Sequence, residues 1–420
     1  MAEITAPSES MEGGGIENPF TRASYRIGML VGALLGLGLV MVTSAEAGVT
    51  GSNTLRVVLL RRIGWLAAGG FAFGAGAIIN HEVWKRHSLL LLAVAVGLLL
   101  AVFVPSLGAS AHGARRWIRV GNMGLQPSEF AKFALLIWLA AHCARQRHRG
   151  GMSRFTTGFF APMIAVAVVC ALVLVEPDFG TSVLIGCVSM AVLLVAGTRI
   201  IWVVLLGIGS VPLMHALVFN VPYRMRRVTA FLDPWAAPRG AGYQLVQSLI
   251  ALGSGGLTGE GLGTGGMGFL PAARNDFIFS ALGQQLGFIG SAVVILAFLW
   301  LVWEGVGVAR SARTPFGCLA GTGIALLLGL QAAVHIAVVS GSVPTKGLSL
   351  PFLSAGGSSL FFSLWAAGIL VNIARSVENP QEVNLRGDDS RMPGYERAFY
   401  AVIERARDGL ERRFRGNGNN

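Results

Sequence analysis

Asp276 is the one acidic residue in the segment Leu270-Pro-Ala-Ala-Arg-Asn-Asp-Phe-Ile-Phe279, between a glycine-rich polar stretch and an uncharged apolar run from Phe277 to Trp303. A run of that length can cross a bilayer. A carboxylate at the mouth of a membrane helix is costly unless it pairs or works, so Asp276 is a candidate general base. The competing reading is an ordinary helix N-cap. Gln126-Pro-Ser-Glu129-Phe-Ala-Lys132 opens another span. Its i,i+3 spacing puts Glu129 and Lys132 on one helix face, where they can pair and either face a polar cavity or fix helix packing.

Two arginine clusters lie in polar segments. One is Arg115-Arg116-Trp117-Ile118; the other, Tyr223-Arg224-Met-Arg226-Arg227, precedes Phe231-Leu-Asp233-Pro-Trp235. Guanidinium meets phosphate in a planar fork, so a diphosphate head group would suit them; anchoring to anionic lipid is the alternative. The stretch from Pro344 to Ser359, with Lys346, two prolines and Gly356-Gly357-Ser358-Ser359, predicts irregular backbone near membrane depth. Such backbone is tolerated only against protein or a water-filled cavity. Gly261-Leu-Gly263-Thr-Gly-Gly266 has dinucleotide-fingerprint spacing, but no strand–helix–strand unit surrounds it, so its glycines are read as turn formers.

The elements that must position these residues are membrane spans. The chain has 420 residues, 53% hydrophobic and 13% charged, where soluble domains carry about a quarter charged. The expected class is an all-α polytopic membrane protein of about ten helices, near 27–45, 63–80, 88–105, 127–143, 156–175, 181–198, 200–219, 277–303, 316–340 and 354–374. Ten spans put both termini on one side. Arg22 and Arg26 before the first span and Arg375 after the last favour termini inside, in the cytoplasm. The arginine clusters and the long connection 220–276 then fall outside. The start has no basic region leading to a cleavage site, so the first span is expected to serve as its own insertion signal. Residues 1–25 read as a disordered tail, 26–376 as the membrane domain, and 377–420 as a cytoplasmic tail with an amphipathic helix over 394–415. The net charge of +12 suits anionic head groups and does not call for nucleic acid. Cys143, Cys170, Cys187 and Cys318 sit at unrelated spacings and read as small core residues.

In order along residues 27–375, these motifs resemble the SEDS family (shape, elongation, division, sporulation), the FtsW/RodA peptidoglycan glycosyltransferases. They are Arg-Arg-Trp-Ile, Gln-Pro-Ser-Glu-x-x-Lys, Glu-Pro-Asp-Phe-Gly-Thr at 176–181, Arg-x-x-Arg with Phe-Leu-Asp-Pro-Trp, Gly-Tyr-Gln-x-x-Gln-Ser at 242–248, Asp-Phe-Ile-Phe, and Pro-Thr-Lys-Gly with Gly-Gly-Ser-Ser. Pro-Thr-Lys-Gly is the more FtsW-like form. The resemblance implies polymerisation of lipid II, an undecaprenyl diphosphate-linked disaccharide peptide, at the outer face of the cytoplasmic (inner) membrane. It implies Asp276, Glu129 and Lys132 as catalytic residues. Arg115, Arg116, Trp117, Arg224, Gln244, Lys346 and Ser358 are the substrate-binding candidates. It also implies a class B penicillin-binding transpeptidase partner among divisome or elongasome proteins, and a divalent cation, Mg or Mn, as a cofactor relatives may use.

The chain departs from the pattern near the expected base. Ala272, Arg274 and Asn275 stand in the usual Glu-x-His-Thr context, Gln284-Gln285 replace an acidic pair, Ala355 replaces a tyrosine and His335 an asparagine. The lost carboxylates weaken a cation site. Arg274 would favour the ionised form of Asp276 and make it a weaker base. Two other functions stay open: a lipid II flippase lined by Glu129 and Lys132, and a non-catalytic division scaffold.

Overall fold

The computed structural model describes residues 22–47, 52–105, 108–111, 114–120, 123–263 and 275–378. The expected C-terminal linker and amphipathic helix, and the tail through residue 21, lie outside them. Helices α1 (Ala23–Ala47) and α2 (Ser52–Ile78) are followed by the short α3 (His81–Arg86) and by α4 (Ser88–Ala101). Beyond a short extended segment come α5 (Pro127–His148), a π-helical turn (Phe155–Phe160) running into α6 (Ala161–Val175), α7 (Phe179–Ala196) and α8 (Ile200–Phe219). The long connection holds two short helices, α9 (Pro222–Leu232) and α10 (Tyr243–Ser254). The chain then forms α11 (Ile278–Ser311), α12 (Pro315–Val339) and α13 (Gly357–Glu378). All ten expected spans are helices. Seven are by themselves long and apolar enough to cross a membrane. The other three are α4, which is short, and α2 and α5, whose lengths include Arg56, Arg61 and Arg62, and Glu129, Lys132, Arg145 and Arg147. The protein is a multi-pass membrane protein.

The fold is helical as expected, with one small addition. Residues 108–125 form a three-stranded antiparallel sheet, β1 (Gly108–Ala111), β2 (Ala114–Val120) and β3 (Met123–Leu125). Trp117, Ile118 and Val120 favour extended backbone, but strands this short carry no readable alternation. One correction concerns Arg26, expected before the first span. It lies inside α1 and holds Glu304 of α11 in a fork, Nε to Oε1 at 2.7 Å and Nη2 to Oε2 at 2.9 Å. Ser24 donates from its backbone N to Glu378 Oε1 at 2.9 Å and from Oγ to Oε2 at 2.5 Å. The first and last helices of the bundle therefore meet at one face.

Within the bundle α12 is central, packed on α5, α7, α11 and α13, while α13 lies along α2. No residue of α8 is buried, which suits a helix whose apolar surface faces lipid. Helix α11 breaks at Gly287, where φ is 67°, a conformation glycine adopts without a Cβ penalty. The freed backbone groups are met by the preceding loop. Glu260 and Gly261 donate to the Gln284 and Gln285 carbonyls at 3.0 and 3.1 Å, and Phe288 and Ile289 donate to Gly256 and Leu257 at 2.9 and 3.1 Å. Gly261 and Gly263 have φ of 97° and 78°, as turn-forming glycines do.

Candidate active site

Between α12 and α13 the chain runs without helix from Ser340 to Gly356, as a strap across one end of the bundle. Prolines 344 and 351 prevent a continuous helix there, and side chains from the helices satisfy its backbone. His335 Nδ1 bonds the Leu348 carbonyl at 2.7 Å, and Gln331 Nε2 donates to the Ser349 carbonyl at 2.8 Å. Arg62 Nη1 donates to the Ser354 carbonyl at 2.8 Å, and Arg227 Nη1 to the Thr345 carbonyl at 2.9 Å. These contacts pair carbonyls that have no helix of their own to pair them.

Asp276 lies one residue ahead of the cap of α11, in a turn beside this strap. Its carboxylate packs on Gly347: a Cβ there would stand 3.0 Å from Oδ2 and 3.5 Å from Cγ. A side chain at this position would crowd the acid, so glycine suits the close approach. Asp276 is half-buried and Gly347 is exposed, so the carboxylate remains within reach of solvent.

Lys346, next along the strap, turns to a different set of groups. Its Nζ lies 4.8 Å from the Phe179 ring centroid, and the Arg224 guanidinium carbon lies 5.2 Å from the same ring. Phe179, at the first turn of α7, thus gathers two cations that would otherwise repel. Arg224 also donates to the Leu217 carbonyl at 2.8 Å. Arg227 stacks on Tyr223 and donates to its hydroxyl. Burial holds the Lys346 ammonium below the usual lysine range.

The Glu176-Pro-Asp178 turn supports Phe179. Arg116 donates to the carbonyls of Glu176 and Pro177 at 2.8 and 2.5 Å. Asp178 accepts from Thr181 N and Oγ1 at 3.2 and 2.9 Å and from Gln126 Nε2 at 3.3 Å. Glu176 is 1% exposed, and neither carboxyl oxygen has a hydrogen-bond partner. Burial pushes its carboxyl up to about 8, with Asp178 adding to the rise and Arg116 opposing it.

Glu129 and Lys132 pair as their spacing predicts, at 2.9 Å, with side chains 5% and 0% exposed. Lys132 Nζ also donates to Gln331 Oε1 at 2.8 Å, which joins the pair to the strap through Gln331. Glu129 Oε2 is buried without a partner.

The other expected residues are more scattered. Arg115 is on β2, with its side chain outside the described residues. Trp117 lies over Gly124 of β3. Gln244 is half-buried on the first turn of α10, a helix tied to α11 and α12 by Ser248, whose Oγ bonds Ser280 Oγ and the Val339 carbonyl at 2.7 Å each. Ser358 is buried in the first turn of α13. Ala272 and Arg274 lie outside the described residues. Gln284 donates to Glu260 at 3.0 Å and Gln285 accepts from Ser44 at 2.8 Å, so the replaced acidic pair tethers loop and helix ends. Among the described residues no group of three or more His, Cys, Asp or Glu is placed to hold a metal.

Sequence reasoning missed Phe179, Gly347, Gln331 and Ser354 as parts of the site. Phe179 and Gly347 stood inside quoted motifs, but a ring that gathers cations and a glycine that seats a carboxylate show only in three dimensions. Gln331 and His335 carried a signal, two polar residues at i,i+4 on one face of an apolar span.

Comparisons with known proteins identify the family. The family model described as a cell cycle protein, FtsW, RodA and SpoVE, matches residues 25–379. A probable peptidoglycan glycosyltransferase FtsW from Geobacter sulfurreducens is 42% identical over 347 residues, 81% of this chain and 92% of that protein. The structure of rod shape determining protein RodA from Thermus thermophilus superposes with a TM-score of 0.62 at 25% identity, covering 84% of this chain and 97% of that one. A chain of a peptidoglycan synthase complex, in which polymerization and crosslinking are structurally coordinated, gives a TM-score of 0.69 at 25% identity over the same shares.

Proposed function

The chain belongs to the FtsW/RodA/SpoVE family of cell cycle proteins, and from that membership and its site we propose that it is a peptidoglycan glycosyltransferase that polymerises lipid II. The observation that carries the reading is the adjacency of Lys346 and Gly347. Gly347 seats the Asp276 carboxylate, and Lys346 faces Phe179 beside Arg224. A base and a cation pair thus meet at consecutive residues of one strap.

The reaction needs both. A sugar hydroxyl of the acceptor attacks the anomeric carbon of the donor and gives its proton to Asp276. The bond from that carbon to the diphosphate oxygen breaks, and its electron pair leaves with the undecaprenyl diphosphate. Lys346 offsets the charge that develops there, while Arg224 holds the diphosphate in ground and transition state alike. A single displacement of this kind inverts the anomeric centre. Arg116 fixes the turn below Phe179, and Arg115, Trp117, Gln244 and Ser358 are further substrate-binding proposals. Glu129 and Lys132 act at one remove, through Gln331.

The reading places the protein in the cytoplasmic membrane, with both termini cytoplasmic and Asp276 at the outer face. A class B penicillin-binding transpeptidase of the divisome or elongasome is the proposed partner, and the likeness to a chain of a peptidoglycan synthase complex supports it. Purified protein given fluorescent lipid II in vesicles decides between functions. Glycan strands support the glycosyltransferase, translocation without strands supports a flippase, and neither supports a scaffold.

A further inference from the structure

The turn that carries Asp276 is tied to the strap by one buried hydroxyl. Ser354 Oγ donates to the carbonyl of Asn275, the residue before Asp276, at 2.8 Å. The same oxygen accepts from the Leu350 backbone N–H at 2.8 Å. Ser354 is 3% exposed, and its own carbonyl is held by Arg62 at 2.8 Å. One side chain thus fixes the distance between the strap and the turn that presents the carboxylate.

The strap needs fixing from its other side as well, because Gly347 seats Asp276 through backbone alone. Gln331 and His335, one helical turn apart on α12, hold the next two carbonyls, those of Ser349 and Leu348. Both side chains are buried. Gln331 is oriented in turn by Lys132, which donates to its Oε1 and leaves its amide nitrogen for the strap. Between these anchors Phe352 has φ of 65°. A residue with a side chain keeps that conformation only where its surroundings impose it.

We infer that Ser354, Gln331 and His335 are positioning residues for Asp276, holding the strap and the Asn275–Asp276 turn in one register so that the carboxylate faces the acceptor hydroxyl. This inference rests on the glycosyltransferase reading for its catalytic readout, but its geometric content does not. A displacement of about 1 Å at a reacting group can cost on the order of a hundredfold in rate. Loss of positioning lowers kcat and leaves KM nearly unchanged, because the lipid diphosphate is bound by other groups.

The test compares Ser354→Ala, Ser354→Thr and His335→Leu with wild type in nanodiscs. Two quantities are read, the steady-state kinetics of lipid II polymerisation and amide hydrogen exchange over residues 345–350. Ser354→Ala and His335→Leu are expected to lower kcat about tenfold or more with KM within about twofold, and to speed exchange in the strap. Ser354→Thr keeps the hydroxyl and is expected to restore both. Unchanged exchange in Ser354→Ala and His335→Leu overturns the inference whatever the activity. Faster exchange with unchanged kcat overturns the positioning role. Should Ser354→Ala fail to fold, His335→Leu carries the same two readouts from the opposite side of the strap. If the wild-type protein forms no glycan, the glycosyltransferase reading fails, while the exchange data still decide whether these side chains fix the strap.

Discussion

Arg224 shows how much a single residue is asked to do. Its guanidinium packs on Phe179 and donates to the Leu217 carbonyl, and guanidinium is a group that meets phosphate in a planar fork. Lysine keeps the charge but neither the stacking nor the fork. Arg224→Lys is therefore expected to raise the apparent KM for lipid II about tenfold while kcat changes less. A fall confined to kcat would assign Arg224 to the leaving group in place of ground-state binding. Glu176 gives a pH test at the same scale. Its folded pKa, about 8, lies above its unfolded value, so the folded state holds the proton more tightly. Its contribution to stability is thus most favourable below the unfolded pKa and declines as pH rises toward about 8. Glu176→Gln, which fixes the neutral state, should melt above wild type near pH 9, and the gap should close near pH 5. An equal gap at both pH values would contradict the burial argument.

At the scale of elements, the spans were legible because a membrane demands long uncharged runs, and each run from residue 27 to 374 became a helix. The Glu129–Lys132 pair was legible from i,i+3 spacing alone. The sheet at 108–125 was not, because short strands leave no pattern, and neither was the way Gln331 carries the ion pair's influence to the strap. The pair gives the element-scale prediction. Removing one partner leaves a buried charge unpaired, at a cost of roughly 3–5 kcal/mol. The Glu129→Gln, Lys132→Met double variant should be more stable than either single variant. Melting temperatures whose losses simply add would refute the coupling. A stable but inactive double variant would show that the pair serves catalysis through Gln331 as well as packing.

Across the whole molecule, the Ser24–Glu378 and Arg26–Glu304 contacts gather α1, α11 and α13 at one face, while the strap closes the other end over Asp276. The sequence assigned Asp276 to a helix mouth, and the motif order pointed to the family. What it could not show is that Asp276, Gly347, Lys346, Phe179 and Arg224, drawn from four separate segments, converge. The central claim is that this convergence polymerises lipid II with Asp276 as the base. The most direct measurement is glycan formation from fluorescent lipid II by purified wild type and Asp276→Asn, with thermal melting of both. Asparagine keeps the size and capping ability of aspartate but cannot take a proton. The account predicts glycan strands from wild type and none from Asp276→Asn at an unchanged melting temperature. Near-wild-type polymerisation by Asp276→Asn would contradict it.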